Sequence, residues 1–277
     1  MGHSKISLFL CRPYHKKMYA HARMKTTLKL VLLYFAYQLL AGAAMAGINL
    51  LWPLSATAQL GWALLLSGTA MTAHLVGFGH VNLRQALRPV GADVMLCSLV
   101  CIAGTVLAGN ALSLLIPLPN WLDSDFTALG HTLVGAFSIA LLAPLAEELL
   151  FRGAILQSLR ADSASPWRSI LLSALIFGLI HINPAQVPFA ILAGIAFGWV
   201  SVCTHSLLPA IIGHALNNSL GVVEILAYGN SGAPTPMQEQ PTGALLIIAL
   251  AGTATAIITG RKLTHHILLQ KEKSTTK

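Results

Sequence analysis

Long runs of apolar residues, separated by short polar or proline-rich connectors, fill the chain from residue 28 to residue 260. A membrane core about 30 Å thick needs about 20 apolar residues in helical form to cross it. The runs therefore predict about eight transmembrane helices, which we expect to form one all-α bundle. The predicted spans are 28–52, 60–79, 93–116, 128–158, 168–183, 186–204, 206–226 and 243–260.

Two short segments qualify this pattern. Asn183 and Pro184 predict a tight turn between the fifth and sixth spans, because proline lacks a backbone N–H and clashes with the preceding helical turn. The first span follows a basic arm, an arrangement that also occurs in secretory signal peptides. The apolar run after the arm continues to Trp52. It is longer than the roughly 7–15 residues of a signal-peptide core, which favours an uncleaved first span.

Composition supports a membrane protein. Of the 277 residues, 55% are hydrophobic and only 9% are charged, whereas a soluble domain carries about 25% charged residues. So few charges cannot cover a water-facing surface, which excludes a soluble globular enzyme. The same composition excludes intrinsic disorder, because disorder requires low hydrophobicity and high charge.

The distribution of positive charge predicts the orientation in the membrane. All 17 Lys and Arg residues fall on the side that an eight-span chain with both termini inside would place in the cytoplasm. We therefore expect a cytoplasmic arm at residues 1–27, a membrane domain at 28–260 with the candidate site within 127–226, and a cytoplasmic tail at 261–277. The net charge of +8 reflects this topology and gives no indication of nucleic-acid binding.

Several polar residues interrupt otherwise apolar spans. Ionisable side chains inside a membrane are costly and usually mark a functional site. They are Glu147, Glu148 and Arg152 in the fourth span, His181 in the fifth, and His214 with its neighbour Asn218 in the seventh. At about 1.5 Å per residue, they lie roughly 12 to 20 Å from the basic ends of their spans. This common depth predicts one buried polar site.

Spacing along each helix sharpens the prediction. His214 and Asn218 are four residues apart and share one helical face. Glu148 and Arg152 have the same spacing, with the acid first, which favours an ion pair. Glu147 is rotated by about 100° from Glu148, so it is left to face the site. Pro144 and Pro209 precede these groups and are expected to open the helices there.

These residue types suit hydrolysis of a carbonyl compound. Glu147 could act as general base toward water, and His181 could orient that water or bind a metal ion. His214 and Asn218 offer the hydrogen-bond donors that a tetrahedral oxyanion requires. The chain has no Gly-x-Ser-x-Gly and no His-Glu-x-x-His sequence, so serine-elbow and zincin chemistries are disfavoured.

Three short patterns in this order resemble the motifs of the CPBP family, which includes the type II CAAX prenyl proteases and the bacterial bacteriocin-processing or immunity proteins also called Abi. The resemblance covers about residues 127–226. The patterns are Glu147-Glu148-x-x-x-Arg152, Phe177-x-x-x-His181 and His214-x-x-x-Asn218.

The resemblance implies an eight-helix intramembrane endopeptidase acting on a membrane-associated or lipidated protein, in CAAX-type or bacteriocin-related processing, in the bacterial plasma membrane. It implies that Glu147 and His181 activate water, and that His214 and Asn218 form the oxyanion hole. Glu148, Arg152 and Phe177 would support the site. The resemblance leaves metal dependence open; one divalent ion such as zinc would take Glu147, His181 and His214 as ligands.

Two other functions remain open at the sequence level. A proton-coupled transporter could use the same glutamates and histidines as a proton relay, although the chain lacks a repeated pair of broken helices. A non-catalytic immunity or scaffold protein could keep the same helices. The expected partners are the peptide substrate and the lipid bilayer, and the sequence gives no indication of oligomeric state.

Overall fold

The described part of the chain is helical and contains no strand, which confirms the all-α membrane class. A computed structural model describes residues 13–160, 165–229, 231 and 233–275, with side chains from Met24 to Leu269. The helices are α1 Pro13–Leu51, α2 Ala56–Gly77, α3 Leu83–Ala86, α4 Ala92–Leu115, α5 Asp123–Gly130, α6 Leu133–Arg160, α7 Pro166–Leu179, α8 Val187–Thr204, α9 Leu208–Tyr228 and α10 Thr242–Thr275.

Within these residues, seven helices are long and apolar enough to cross a membrane: α1, α2, α4, α6, α8, α9 and α10. The predicted span 168–183 is the exception. It forms α7, which has 14 residues and is therefore about 21 Å long, shorter than the roughly 30 Å of the hydrocarbon core. The helix stops early because the chain turns at Ile182, whose φ is 60°, before Pro184.

The first and last helices run through the predicted boundaries of the membrane domain. α1 begins at Pro13, inside the predicted arm, and α10 continues to Thr275, inside the predicted tail. Residues 1–12, 276 and 277 lie outside the described part of the chain. The division into arm, membrane domain and tail stays a prediction.

Helix α6 changes its hydrogen-bond register twice. It is π-helical over Ser138–Leu142 and Leu149–Ile155, and the N–H of Ala143 bonds to the carbonyl of Ser138, five residues back. The α-helical stretch between the two segments is Ala143–Glu148. Such π-helical turns occur mostly as short interruptions of α-helices, and they are frequently found at functional sites. They frame the two glutamates of the fourth predicted span.

Two apolar clusters meet at the candidate site. The first joins α1, α2, α6 and α7 and contains Leu75, Leu149 and Phe177. The second joins α4, α8, α9 and α10 and contains Phe197. The imidazole of His214 lies between them, with its ring centre 5.9 Å from that of Phe177 and 4.8 Å from that of Phe197.

Small residues let α7 and α8 approach closely. A Cβ added at Gly178 would lie 2.3 Å from a side-chain carbon of Ile191, and one added at Gly194 would lie 3.1 Å from the Cα of Ala174. Such close contacts replace hydrophobic driving force as the means of packing helices in a membrane. The packing holds the end of α7, and with it Phe177, against the rest of the site.

One of the 17 cations counted in the charge pattern proves to be internal. Arg152 is fully buried in α6 and pairs with Glu148. It therefore says nothing about orientation, and the positive-inside argument depends on the remaining Lys and Arg residues. The placement of both termini in the cytoplasm stays a prediction.

Candidate active site

The predicted ion pair on α6 forms and is completely enclosed. The Nη1 group of Arg152 donates to Oε1 of Glu148 at 2.9 Å, and both side chains have zero exposure. Its Nη2 group donates to the carbonyl of Gly194 at 3.2 Å. The guanidinium also lies 4.3 Å from the ring centre of Phe177, a favourable cation–π distance. Arg152 thereby ties α6 to α7 and α8.

Glu148 also holds His214, a contact that the sequence analysis did not anticipate. The Nδ1 atom of His214 lies 2.9 Å from Oε1 of Glu148. A carboxylate oxygen that also accepts from Arg152 can only accept from the imidazole, so we assign the hydrogen to Nδ1. The other ring nitrogen, Nε2, then faces Glu147, whose Oε2 lies 3.8 Å away. That distance is too long for a direct hydrogen bond and suits a bridging water.

The two glutamates have different surroundings, as their rotation around α6 predicts. The side chain of Glu147 is 13% exposed and that of Glu148 is not exposed. Oε1 of Glu148 accepts from both Arg152 and His214, while its Oε2 is buried without a hydrogen-bond partner in the described residues. Glu147 has His214 beside it at a non-bonded distance. Glu147 is therefore the carboxylate that remains available for chemistry.

His181 lies beyond the end of α7 rather than inside a helix. Its Nδ1 group donates to the carbonyl of Phe177 at 2.8 Å, because a carbonyl oxygen can only accept. Its ring meets that of Phe177 edge-on, with centres 5.0 Å apart. Phe177 thus contacts the imidazoles of both His181 and His214. In the described residues no hydrogen bond or ion pair joins His181 to Glu147.

Asn218 fills a gap that Pro144 leaves in α6. Its Nδ2 group donates to the carbonyl of Ile139 at 3.0 Å. In the π-helical pattern of this stretch, each carbonyl accepts from the N–H five residues later. The carbonyl of Ile139 would therefore accept from residue 144, which is a proline and has no N–H. Asn217 donates to Oδ1 of Asn218 at 3.1 Å. An amide group has two N–H bonds, so one of them remains for a ligand.

The predicted zinc ligands do not form a metal site. Across the described residues, no three His, Cys, Asp or Glu side chains are close enough to hold an ion. Zinc ligands must lie about 2.0–2.3 Å from one common point. Glu147 and His214 lie 3.8 Å apart, whereas His181 bonds to the carbonyl of Phe177, and no hydrogen bond or ion pair joins it to either residue in the described part of the chain. The residues present do not fit a zinc ion, so no step below involves one.

Tyr34 of α1 is a neighbour of the site that the sequence analysis missed. It packs against the cluster that contains Leu149 and Phe177, and its hydroxyl interacts electrostatically with Glu147. The buried residues Thr27 and Leu30 lie on the same helical face. A tyrosine at helical spacing from buried residues is the signal that could have identified it.

Comparison with known proteins finds a match over one segment of the chain. The family model described as type II CAAX prenyl endopeptidase Rce1-like matches residues 129–220. This segment is similar to the Rce1-like family. The segment contains every residue of the three motifs, namely Glu147, Glu148, Arg152, Phe177, His181, His214 and Asn218. The resemblance inferred from those motifs is thereby confirmed.

A curated relative supports the same assignment at greater distance. The "Probable CAAX prenyl protease 2" of Schizosaccharomyces pombe is 31% identical over 112 residues, which cover 33% of this chain and 41% of the relative. The matched part therefore spans about two fifths of the relative's length. No solved structure matches the chain.

Proposed function

We propose that the protein is an intramembrane endopeptidase that hydrolyses a peptide bond in a membrane-associated or lipidated protein. The observation that carries the proposal is the 3.8 Å separation between Oε2 of Glu147 and Nε2 of His214, with His214 held from behind by Glu148. A carboxylate and an imidazole at this separation can share one water molecule. The match of residues 129–220 to the Rce1-like family supplies independent support.

Glu147 is the general base in this proposal. Its carboxylate takes a proton from the water while the water oxygen forms a bond to the peptide carbonyl carbon, so that the carbonyl oxygen becomes an oxyanion. Glu147 suits this role because Arg152 and His214 already occupy the other glutamate. The limited exposure of Glu147, 13%, favours a base that is shielded from bulk solvent.

His214 and Asn218 act on the tetrahedral intermediate. The Nδ1 hydrogen of His214 is committed to Glu148, so Nε2 can donate only after His214 has received the proton from Glu147. Nε2–H and the remaining N–H of Asn218 then stabilise the oxyanion. When the C–N bond breaks, the leaving amine takes the proton and a carboxylate product remains.

His181 completes the proposed site from the other side of Phe177. Because Nδ1 donates to the carbonyl of Phe177, a neutral imidazole presents Nε2 as an acceptor. In the proposal this nitrogen orients the attacking water as the substrate enters. If the substrate carbonyl lay between His181 and Glu147, one residue from each of the first two motifs would act on the same peptide bond.

The site is close to the basic side of the bundle. Leu75, in the last turn of α2, packs in the same cluster as Leu149. The chain that follows α2 carries Arg84 and Arg88. His214 lies six residues after the start of α9, or about 9 Å along it. With both termini in the cytoplasm, as the charge pattern predicts, the substrate would reach the site from the cytoplasmic side.

A prenylated Cys-a-a-X protein is the substrate class to test first, because the fission-yeast relative is described as a probable CAAX prenyl protease. Purified protein in lipid vesicles would be incubated with farnesylated Cys-a-a-X peptides and with the same peptides lacking the prenyl group. Mass spectrometry would identify each product. We expect cleavage, with faster rates on the prenylated member of each pair.

Glu147→Gln tests the site within the same assay. We expect it to lower kcat by about 10²- to 10⁴-fold, the usual contribution of a general base, while the protein stays folded. Glu224→Gln, at an exposed position on α9, makes the same chemical change as a control and should cleave normally. Cleavage by Glu147→Gln at the wild-type rate would refute the proposed function.

A further inference from the structure

The turn that contains His181 is hydrogen-bonded to a segment that is distant in the sequence. α7 ends at Leu179, and His181 and Asn183 follow in the turn before α8. Asn183 is only 1% exposed, although it lies in a connector where polar side chains usually reach solvent. Its burial indicates that the side chain has a structural task at this position.

Three hydrogen bonds join this turn to the connector between α4 and α5. The Nδ2 group of Asn183 donates to Oδ1 of Asn120 at 2.7 Å. The backbone N–H of Trp121 donates to Oδ1 of Asn183 at 3.1 Å. The N–H of Ala185 donates to the carbonyl of Pro119 at 3.2 Å. Both ends of the Asn183 amide are therefore satisfied by a single neighbouring segment.

The orientation of Asn120 is itself constrained. Its Nδ2 group donates to Oδ1 of Asp123 at 2.9 Å, at the start of α5. This contact directs Oδ1 of Asn120 toward Asn183 rather than toward solvent. The chain of contacts runs from the first turn of α5 through Asn120 to the buried amide of Asn183.

The backbone between His181 and Asn183 needs such support. Ile182 has a φ of 60°, in the left-handed region that a β-branched residue rarely adopts. A conformation of this kind persists only when the surrounding structure holds it. The hydrogen bond from His181 to Phe177 fixes one end of the turn, and Asn183 fixes the other. The position of the imidazole depends on both.

We propose that Asn120 and Asn183 form a clamp that positions His181 for peptide hydrolysis. The clamp rests on the proposed function, and its two asparagines are positioning residues, because they act on the reaction through His181. Asn120 lies outside residues 129–220, the segment that matches the family. This part of the arrangement is therefore a property of this chain's own connector.

Asn120→Ala tests the clamp directly. Asn120 is exposed, so the variant should fold, yet it removes the acceptor for the Asn183 amide. On a farnesylated Cys-a-a-X peptide we expect kcat to fall about 10- to 100-fold, as for a small displacement of a reacting group, with KM changed by less than about twofold. Asn110→Ala, at an exposed position on α4, is the matched control. Unchanged kcat in Asn120→Ala would overturn the clamp.

A second measurement separates positioning from general damage. If the clamp acts through His181, Asn120→Ala should lower kcat in the wild-type background but not in the His181→Ala background, because coupled sites are not additive. Single-turnover assays with excess protein would measure the slow variants. An equal loss in both backgrounds would overturn the proposal.

A readout independent of peptide cleavage distinguishes the clamp from the proposed function. Diethyl pyrocarbonate modifies accessible imidazoles, and mass spectrometry reports the rate at each histidine. We expect Asn120→Ala to speed modification of His181 at least about threefold through local opening of the turn, while the exposed His80 reacts at its wild-type rate. An unchanged rate at His181 would overturn the clamp. Normal cleavage by Glu147→Gln would instead overturn the peptidase proposal.

Discussion

A single oxygen atom of Glu148 receives both Arg152 and His214. Oε1 lies 2.9 Å from Nη1 of the arginine and 2.9 Å from Nδ1 of the histidine. Because all three side chains are buried, their charges are poorly screened and strongly interdependent. The arginine that looks like a purely structural partner of Glu148 therefore also determines the environment of the proposed catalytic histidine.

Neutralising Glu148 should damage both stability and activity. Glu148→Gln leaves the guanidinium of Arg152 buried without a counter-charge, at a cost of about 3–5 kcal/mol. It also replaces the carboxylate that accepts from Nδ1 of His214 with a neutral amide. We expect a lower thermal midpoint of unfolding in detergent and a lower kcat.

A double variant separates the two effects. Glu148→Gln combined with Arg152→Gln removes both charges, so it should recover much of the lost stability while remaining poorly active. The comparison uses thermal unfolding and peptide cleavage on the same samples. Recovery of both stability and activity in the double variant would contradict the role of Glu148 toward His214.

Asn218 and Asn217 form a natural pair for testing the oxyanion donor. Asn218→Ala removes the proposed donor and the contact with Ile139, and kcat should fall about 10²- to 10³-fold. Asn217→Ala removes only a donor to Asn218, so we expect a change of less than about tenfold. Steady-state cleavage rates test this assignment. Similar losses of kcat in the two variants would argue against an oxyanion role for Asn218.

Tyr34 and Tyr37 allow a test of the contribution of α1. Tyr34→Phe removes a hydroxyl in the neighbourhood of Glu147, and we expect kcat to fall by roughly 3- to 10-fold, the range of one modest polar interaction. Tyr37→Phe removes a hydroxyl that lies 3.1 Å from Nδ1 of His74. It should lower stability by about 1 kcal/mol and leave kcat unchanged. If both variants cleave at the wild-type rate, Tyr34 has no part in the reaction.

Removal of divalent metal should leave cleavage intact. The three predicted ligands do not converge on one point among the described residues. Treatment with a chelator, followed by gel filtration and measurement of kcat, should give at least about half of the untreated rate. Loss of activity that returns on adding zinc would show that the side chains rearrange to bind it.

The local features of this protein follow from its sequence. Apolar runs of about 20 residues must be helical in a bilayer, because each backbone N–H and C=O needs a partner within its own segment. The ion pair between Glu148 and Arg152 depends only on the four-residue spacing of a helix, and it forms as predicted. The motif residues indicate the family because their order and spacing are properties of the chain alone.

Tertiary structure decided which of these residues meet. The bond between His214 and Glu148 joins residues 66 positions apart, and the bond between Asn183 and Asn120 joins residues 63 positions apart. The failure of the zinc hypothesis and the omission of Tyr34 both come from distances of this kind, between residues far apart in the sequence. Helical periodicity reports which side of a helix is apolar, but the rotation and packing of helices against one another depend on side-chain fit across the whole bundle. Those contacts between helices determine which of the polar residues lie together in the site.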